Sequence, residues 1–506
     1  MTLATLALWI GGAAIIYTLL VKFLLKKEAN LLLVFLQGFC GALFIVSGFV
    51  KAIDPMGTAF KMQQYFAEFQ QTFKGSFIEN IFPWFSQHAE GFSIFIVSFE
   101  IVLGLMLLLG ARTRIVAWLF FLLVVFFLFL TGFTFLTGYV PSGVNFFEFS
   151  KWGAYEEANM KVTDCGCFGD FLKLKPYVSF QKDLVLLIPA IIFLFYSKRL
   201  VILFGRKFRT ALVWIGTIAS LLFCYANSYW NEPPVDFRPF KVGVNIREQK
   251  KLEEEAQANV EIKFFVMKNK TTGEVKNVAY DDYMKNFKAY PSDTWETIKQ
   301  IKTEPAIEHS KISDFEFNNA DGFPYAEDFI AESSGYVVMV LSYHLDYDDL
   351  IKETLTRMDT VWTYDTLKVN RLEILEGKQV TNTVDSLVPK APVVNEIKEE
   401  KITGADWDET YVSRLKYNII PFANDAIKEG WKVIGITNPV ESNEVITDLK
   451  KKVEANFDFY TTDDLVLKTI MRSNPGILIL HNGKIVAKYH HLHVPAFAKA
   501  KAAVIE

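Results

Sequence analysis

The chain has 506 residues, 51% of them hydrophobic and 22% charged, with 46 Phe. That is enough for two or three domains and too much for one small module. A formal net charge of −4 offers no electrostatic footprint for nucleic acid, and four Cys spread over this length exclude a disulfide scaffold. The apolar excess lies before residue 230 and the charges crowd behind it, so the composition describes a polytopic membrane protein with a water-soluble tail.

Six stretches carry about the 17–25 apolar residues that a bilayer span requires: Leu3–Leu25, Leu31–Val50, Phe92–Leu109, Ile115–Leu136, Leu184–Phe204 and Ala211–Ala226. The first has no basic residue before it and too long an apolar run for a cleavable signal, so it is expected to stay as a helix. The tight connections are basic: Lys22, Lys26 and Lys27 after the first span, Arg112 and Arg114 after the third, and Lys198, Arg199, Arg206, Lys207 and Arg209 before the last. The charge rule then predicts an inner (cytoplasmic) membrane protein with these turns inside and both termini, with the tail, outside the cytoplasm.

The loop at 51–90 carries Phe60, Tyr65, Phe66, Phe69, Phe73, Phe77, Phe82, Trp84 and Phe85 at near-helical spacing, which suits a helix lying in the interface. Lipid contact is its bland role and a lid over a quinone the sharper one. Glu100 then stands alone in the span Phe92–Leu109. An ionisable group at that depth costs at least about 2.5 kcal/mol to insert, so it should face the bundle interior and keep a partner. Either it accepts protons beside a quinone, or it is a protonated packing residue.

Between the fourth and fifth spans comes Thr163-Asp164-Cys165-Gly166-Cys167-Phe168-Gly169-Asp170. Two thiols one glycine apart can close only a small, strained disulfide ring, and strain raises the reduction potential. Such a pair suits exchange better than stapling. Asp164 and Asp170 raise a thiol pKa, so an activating cation must come from elsewhere. A static disulfide and a metal pair stay open as alternatives, but no second Cys pair exists in the soluble parts and no metal is expected. Cys224, near the outer end of the sixth span, could resolve a mixed disulfide; Cys40 reads as packing.

Three strings resemble the DoxX/MauE group of redox-associated membrane proteins: Ser47-Gly48-Phe49-Val50-Lys51-Ala52-Ile53-Asp54-Pro55-Met56-Gly57, Glu100 with Gly104 and Arg112-Thr113-Arg114, and the Cys-Gly-Cys-Phe-Gly loop. The resemblance covers roughly residues 30–200. It implies a helical bundle linked to quinone reduction or to disulfide formation in a partner protein.

After the exit linker at Pro233-Pro234, Glu261–Lys268 and Val275–Tyr280 read as a hairpin, Ile312–Asn318 as a strand with a turn at 319–322, and Tyr336–Ser342 as a continuous apolar strand. Residues 345–410 read as a charged, irregular insertion. Then come helix Thr410–Glu429, strand Trp431–Thr437, helix Ser442–Ala455, strand Phe457–Tyr460, helix Asp464–Arg472, and strands Ile477–His481 and Lys484–Tyr489. That order is similar to a thioredoxin-like domain, with Pro475 where that family has its cis-proline and Pro421 inside the first main helix. The family's two cysteines would fall on Ser413 and Lys416, and no Cys follows Cys224. The tail is therefore expected to dock partners without dithiol chemistry. His490, His491 and His493 suggest a metal less than they suggest surface histidines.

The expected architecture is an α-helical membrane bundle of about six transmembrane helices at 1–230. A linker with a small α+β segment follows at 231–310, and a soluble α/β thioredoxin-like domain at 311–506 carries the insertion. The expected function is thiol–disulfide exchange through Cys165 and Cys167, with Glu100 and Cys224 assisting and electrons passing to a membrane quinone. The expected partners are the lipid bilayer and an envelope thiol protein or redox partner. The alternative is a non-catalytic membrane anchor whose tail is the working surface.

Overall fold

The structure, a computed structural model, describes residues 2–26, 28–162, 166–319, 335–362, 364–375, 378–390 and 392–505. Cys165 and the turn expected at 320–322 lie outside the described residues.

The first half is helical. Helix α1 (Leu3–Leu19) runs on into a π turn, Leu20–Leu24, and is followed by α2 (Leu31–Ile53), α3 (Pro55–Thr72), α4 (Ile81–Gln87) and α5 (Ala89–Leu109). Then come α6 (Thr113–Thr137), α7 (Pro176–Tyr196) and α8 (Arg206–Tyr229). Six described helices, α1, α2, α5, α6, α7 and α8, are long and apolar enough to cross a membrane, so the chain is a multi-pass membrane protein. Asn30 caps α2 by accepting from the backbone N–H groups of Leu32 and Leu33, and Asp54 accepts from Gly57 N–H to start α3 behind Pro55. One dipeptide, Asp54-Pro55, thus ends one helix and opens the next.

Helices α2 and α5 pack closest where glycines meet. A Cβ on Gly104 would lie 2.7 Å from the Gly41 carbonyl oxygen and 2.9 Å from Ile45 N, so neither backbone could yield to it. Gln37 is fully buried and fully used: its amide donates to the carbonyls of Leu107 (2.8 Å) and Val201 (2.9 Å) and accepts from Val201 N–H. The fifth span corrects the sequence reading, starting at Pro176 and not at Leu184. Lys182 and Asp183, near its start, pair with each other inside the bundle at 2.5 Å.

The soluble half starts with α9 (Ile246–Ala258), which opens on an Asn245 cap. Strands β1 (Ile262–Asn269), β2 (Val275–Ala279) and β3 (Trp295–Lys302) form a sheet in the order β2-β1-β3. The central sheet has the order β10-β9-β4-β11-β12, from β4 (Tyr336–Ser342), β9 (Lys432–Thr437), β10 (Asp458–Thr461), β11 (Gly476–His481) and β12 (Lys484–His490). β4, β9 and β10 are parallel, while β11 runs antiparallel to both β4 and β12. Its inner strands read as unbroken apolar runs because both faces are covered. Val338 and Val340 meet Tyr411, Leu415 and Phe422 on one side; Val337, Met339 and Leu341 meet Phe240, Phe317 and Leu467 on the other.

Two further readings are corrected. Ile312–Asn318 is not a strand; it makes turns and one isolated bridge, Asn318 to Thr461, because Phe315 and Phe317 cover the sheet's face and do not extend its edge. The insertion is not irregular either. It is an arm of two antiparallel pairs: β5 (Tyr347–Val361) with β8 (Val393–Trp407), and β6 (Tyr364–Leu375) with β7 (Lys378–Pro389). Opposite charges placed across the strands, Lys352 with Glu400 and Lys390 with Asp365, let a charged sequence hold a ladder.

Candidate functional site

Where the ends of α2, α6 and α7 meet the soluble half there is a cavity of about 340 Å3. Its floor is built from charges inside apolar helices. Lys51, on the last turn of α2, donates to Glu100 Oε2 on α5, and the two side chains are only 5% and 2% exposed. The Lys51 ammonium also lies 5.1 Å from the centre of the Phe127 ring on α6. Glu100 thus has the partner that its depth demanded. Alongside, Lys182 bonds Asp183 Oδ1 on α7, and Thr131 Oγ1 on α6 donates to Asp183 Oδ2 at 3.0 Å. Phe44, Phe127, Leu130 and Leu186 give the cavity apolar walls.

Cys167 enters this floor from the loop between α6 and α7. Gly166 (φ +60°) and Gly169 (φ +53°) take backbone conformations that side chains disfavour, and Ser47 Oγ of α2 donates to the Cys167 carbonyl at 3.0 Å. Cys167 is half-buried and carries a free thiol. Burial pushes that thiol up from its ordinary pKa; Lys182 and Lys51 pull it down, and Asp183 works with the burial. Neighbouring helices thus bring cations that the acidic loop lacks, but burial outweighs them and the thiol stays above its ordinary pKa.

The soluble half forms the roof. Arg472, in the loop after α10 (Asp464–Ile470), is a fork on Asp54, with Nε 2.8 Å from Oδ1 and Nη2 2.6 Å from Oδ2. It lies 3.6 Å from Asp170 of the cysteine loop and 5.3 Å from the centre of the Phe60 ring. Burial would raise the Asp54 pKa, but the Arg472 charge and hydrogen bonds outweigh it and hold the carboxyl below its usual range. Glu232 accepts from the backbone N–H groups of Arg472 (2.8 Å) and Ser473 (2.9 Å) and also holds Arg238. Arg238 in turn grips Asp236, which bonds Lys488 at 2.9 Å. Burial opposes ionisation of Asp236, yet Arg238 and Lys488 bring its pKa down to about 2; burial and Arg238 bring Lys488 down to about 8.

Of the residues singled out from sequence, Glu100 and Cys167 share this cavity. Cys165 lies outside the described residues. Cys224 is not among the residues lining the cavity; it packs among Ala52 and Val97 with its sulfur 3.5 Å from Ser98 Oγ. Cys40 is buried in the bundle core. The aromatic segment is α3 and α4, and much of it faces inward: Tyr65 and Phe69 are buried against Phe133 and Val162, while Phe77 and Trp84 stay exposed. His490 and His491 are buried, not superficial; His491 Nδ1 sits 2.9 Å from Ser473 Oγ. Among the described residues no three metal-ligating groups converge. Lys416, at a position that the thioredoxin-like resemblance assigns to a cysteine, pairs with Glu454 at 2.7 Å.

Sequence reasoning missed Lys182, Asp183 and Thr131, and quoted Lys51 without its role. The available signal was a pair of opposite charges at the head of an apolar run. The Asp54–Arg472 contact joins residues 418 positions apart and left no signal.

Residues 29–142 match the family model of the methylamine utilisation protein MauE. The match takes in α2 to α6 and stops before the cysteine loop, short of the 30–200 that the resemblance suggested. No curated protein matches the chain. No solved structure does either.

Proposed function

We propose that this is an envelope membrane redox protein that exchanges disulfides through Cys165 and Cys167, with both termini and the soluble half outside the cytoplasm. The observation that carries this reading is the placement of Cys167 in a cavity whose floor holds two buried ion pairs, Lys51–Glu100 and Lys182–Asp183. Charges at this depth are costly and mark sites of proton or electron traffic. A partner thiolate attacks the Cys165–Cys167 disulfide and forms a mixed disulfide; the partner's second thiol then closes its own disulfide, leaving two thiols here. Two electrons and two protons must leave to restore the pair.

A membrane quinone would accept them. The site fits its head group: flat apolar walls at Phe44, Phe127 and Leu130, with ammonium donors of Lys51 and Lys182 for its carbonyl oxygens. Lys51 and Glu100 would hold those protons near the cavity floor. The MauE match favours such an accessory membrane role, though it ends before the cysteines.

The soluble half we read as thioredoxin-like. What supports this is the order β9-β4-β11-β12, with Pro475 just ahead of β11. With its proline loop bound to the bundle through Arg472 and to Glu232 of the linker through Ser473, it acts as a fixed cap over the cavity and not as an open peptide groove.

Mass-tagged maleimide applied to cells with and without reductant tests the exchange. The expected result is a reducible Cys165–Cys167 pair that collects in the reduced form when quinone is withdrawn. A pair that is permanently reduced, or a Cys167→Ser chain that leaves every envelope thiol unchanged, would favour the anchor reading instead.

A further inference from the structure

The cavity borders on two media. At its watery side stand Lys173 and Lys311, both with exposed side chains, beside the soluble half. Its other border lies inside the bundle. Phe126 lines the cavity and is 42% exposed, yet it sits about 16 Å along α6 from the helix end at Thr137. That depth falls within a hydrocarbon layer about 30 Å thick. Leu122 and Phe129, on the same stripe of α6, are 56% and 55% exposed, and a stripe of this spacing faces acyl chains. Phe126 therefore touches lipid on one side and the cavity on the other.

Ile96 marks the facing helix. It lines the same cavity, is half-buried, and stands on α5 one turn before Glu100, next to the exposed Phe95. Helix α5 packs chiefly against α2 and α8, and α6 chiefly against α7, so these two consecutive helices leave a seam between them. The seam leads to the buried ion pair. Ile96 is one turn from Glu100, and Phe126 adjoins Phe127, whose ring lies under the Lys51 ammonium. Charges are costly against acyl chains, and the apolar threshold of Ile96 and Phe126 keeps the pair from them.

We propose that the cavity is loaded sideways from the bilayer, through the seam between α5 and α6, by a quinone whose apolar tail stays between Ile96 and Phe126 while its ring lies over Lys51 and Glu100. The inference rests on the quinone reading for the identity of the ring; the seam itself can be tested with a tail alone. Entry at this depth leaves the Asp54–Arg472 clamp closed, so the lipid-soluble ligand and the partner thiol arrive from different sides.

The experiment uses the full-length chain in phosphatidylcholine vesicles and three photoreactive probes. These are an azidobenzoquinone with a decyl tail, the same ring with a methyl group in place of the tail, and a diazirine-labelled fatty acid. Labelled positions are located by mass spectrometry. The tailed quinone should label the floor at Lys51 and Glu100. Ile96→Trp, which fills the seam with a larger ring, should cut that labelling about fivefold or more and leave labelling by the tail-less ring unchanged. Phe126→Ala, which widens the seam, should raise labelling by the tailed probe, and it decides the matter if Ile96→Trp fails to insert. Tailed-probe labelling that is the same in the parent and in both variants overturns the inference. If the tail-less ring labels the floor and the seam variants change nothing, only this inference falls. If the fatty acid reaches the floor in an Ile96-dependent way and neither quinone does, the quinone reading falls and the seam stands.

Discussion

At the scale of single residues, this protein hides ion pairs where lipid-compatible helices would favour apolar side chains. Removing one member of a buried pair strands the other charge and costs about 3–5 kcal/mol, whereas replacing both by apolar residues is often neutral. Glu100→Leu should therefore lower the thermal midpoint of the detergent-solubilised protein sharply, and Lys51→Met/Glu100→Leu should recover most of the loss. An equal or larger loss in the double variant would mean that the pair is not what holds those helices. The histidines make a second, opposite kind of statement. Burial holds His490 down to about 4 and His491 down to about 3; the charges of Arg414 and His493 add to both, His490 adds to the effect on His491, and Glu232 works against it at His490. An unfolded histidine takes its proton near pH 6.5, so the unfolded chain binds more protons than the folded one as pH falls from there. Stability of the soluble half should decline from pH 6.5 towards 4, and denaturant midpoints with His490→Gln should show a shallower slope over that window.

At the scale of elements, the tightest joint is between α2 and α5. Gly104 faces the Gly41 carbonyl with no room for a methyl group, so Gly104→Ala must push two backbones apart. Overpacking of this kind costs typically about 1–3 kcal/mol. Because α2 carries Lys51 and α5 carries Glu100, the same change should loosen their pair. Thermal melting and Cys167 alkylation should shift together in Gly104→Ala; a variant that melts normally would place the slack elsewhere. The turn after α5 shows the same economy. Gly110, at φ +64°, closes the helix where a Cβ would lie 2.0 Å from the Val201 carbonyl oxygen.

At the scale of the whole molecule, the soluble half is clamped to the bundle at the mouth of the cavity. Asp54 and Arg472 form the clamp's centre, Lys175–Glu304 (3.0 Å) an outlying contact, and Phe171 against Phe237 an aromatic one. Access to Cys167 then depends on this clamp. Asp54→Asn should raise the alkylation rate of Cys167 by at least several-fold and speed protease cleavage of the linker at 231–240, with the six spans intact. Unchanged rates in a properly inserted variant would show that partners reach the sulfur by another way. Acid should do the same more gently, since Asp54 must be protonated to release Arg472 and its depressed pKa delays that below the usual carboxylate range.

Local patterns in the chain fixed a good deal without help. Apolar run length located all six spans, because a bilayer demands about 20 apolar residues whatever the neighbours do. The strands of the central sheet were legible for a like reason: runs such as Tyr336–Ser342 are apolar throughout only when both faces are covered. The lone Glu100 announced a buried site, and the glycine-spaced cysteines named its chemistry as an expectation. What sequence alone could not supply was which charges meet. Lys51 finds Glu100 across 49 positions, Thr131 finds Asp183 across 52, and Arg472 finds Asp54 across 418. Electrostatic pairing acts over a few ångströms in space and leaves no period along the chain, so only the folded bundle, with its cap in place, decides which sulfur sits beside which cation.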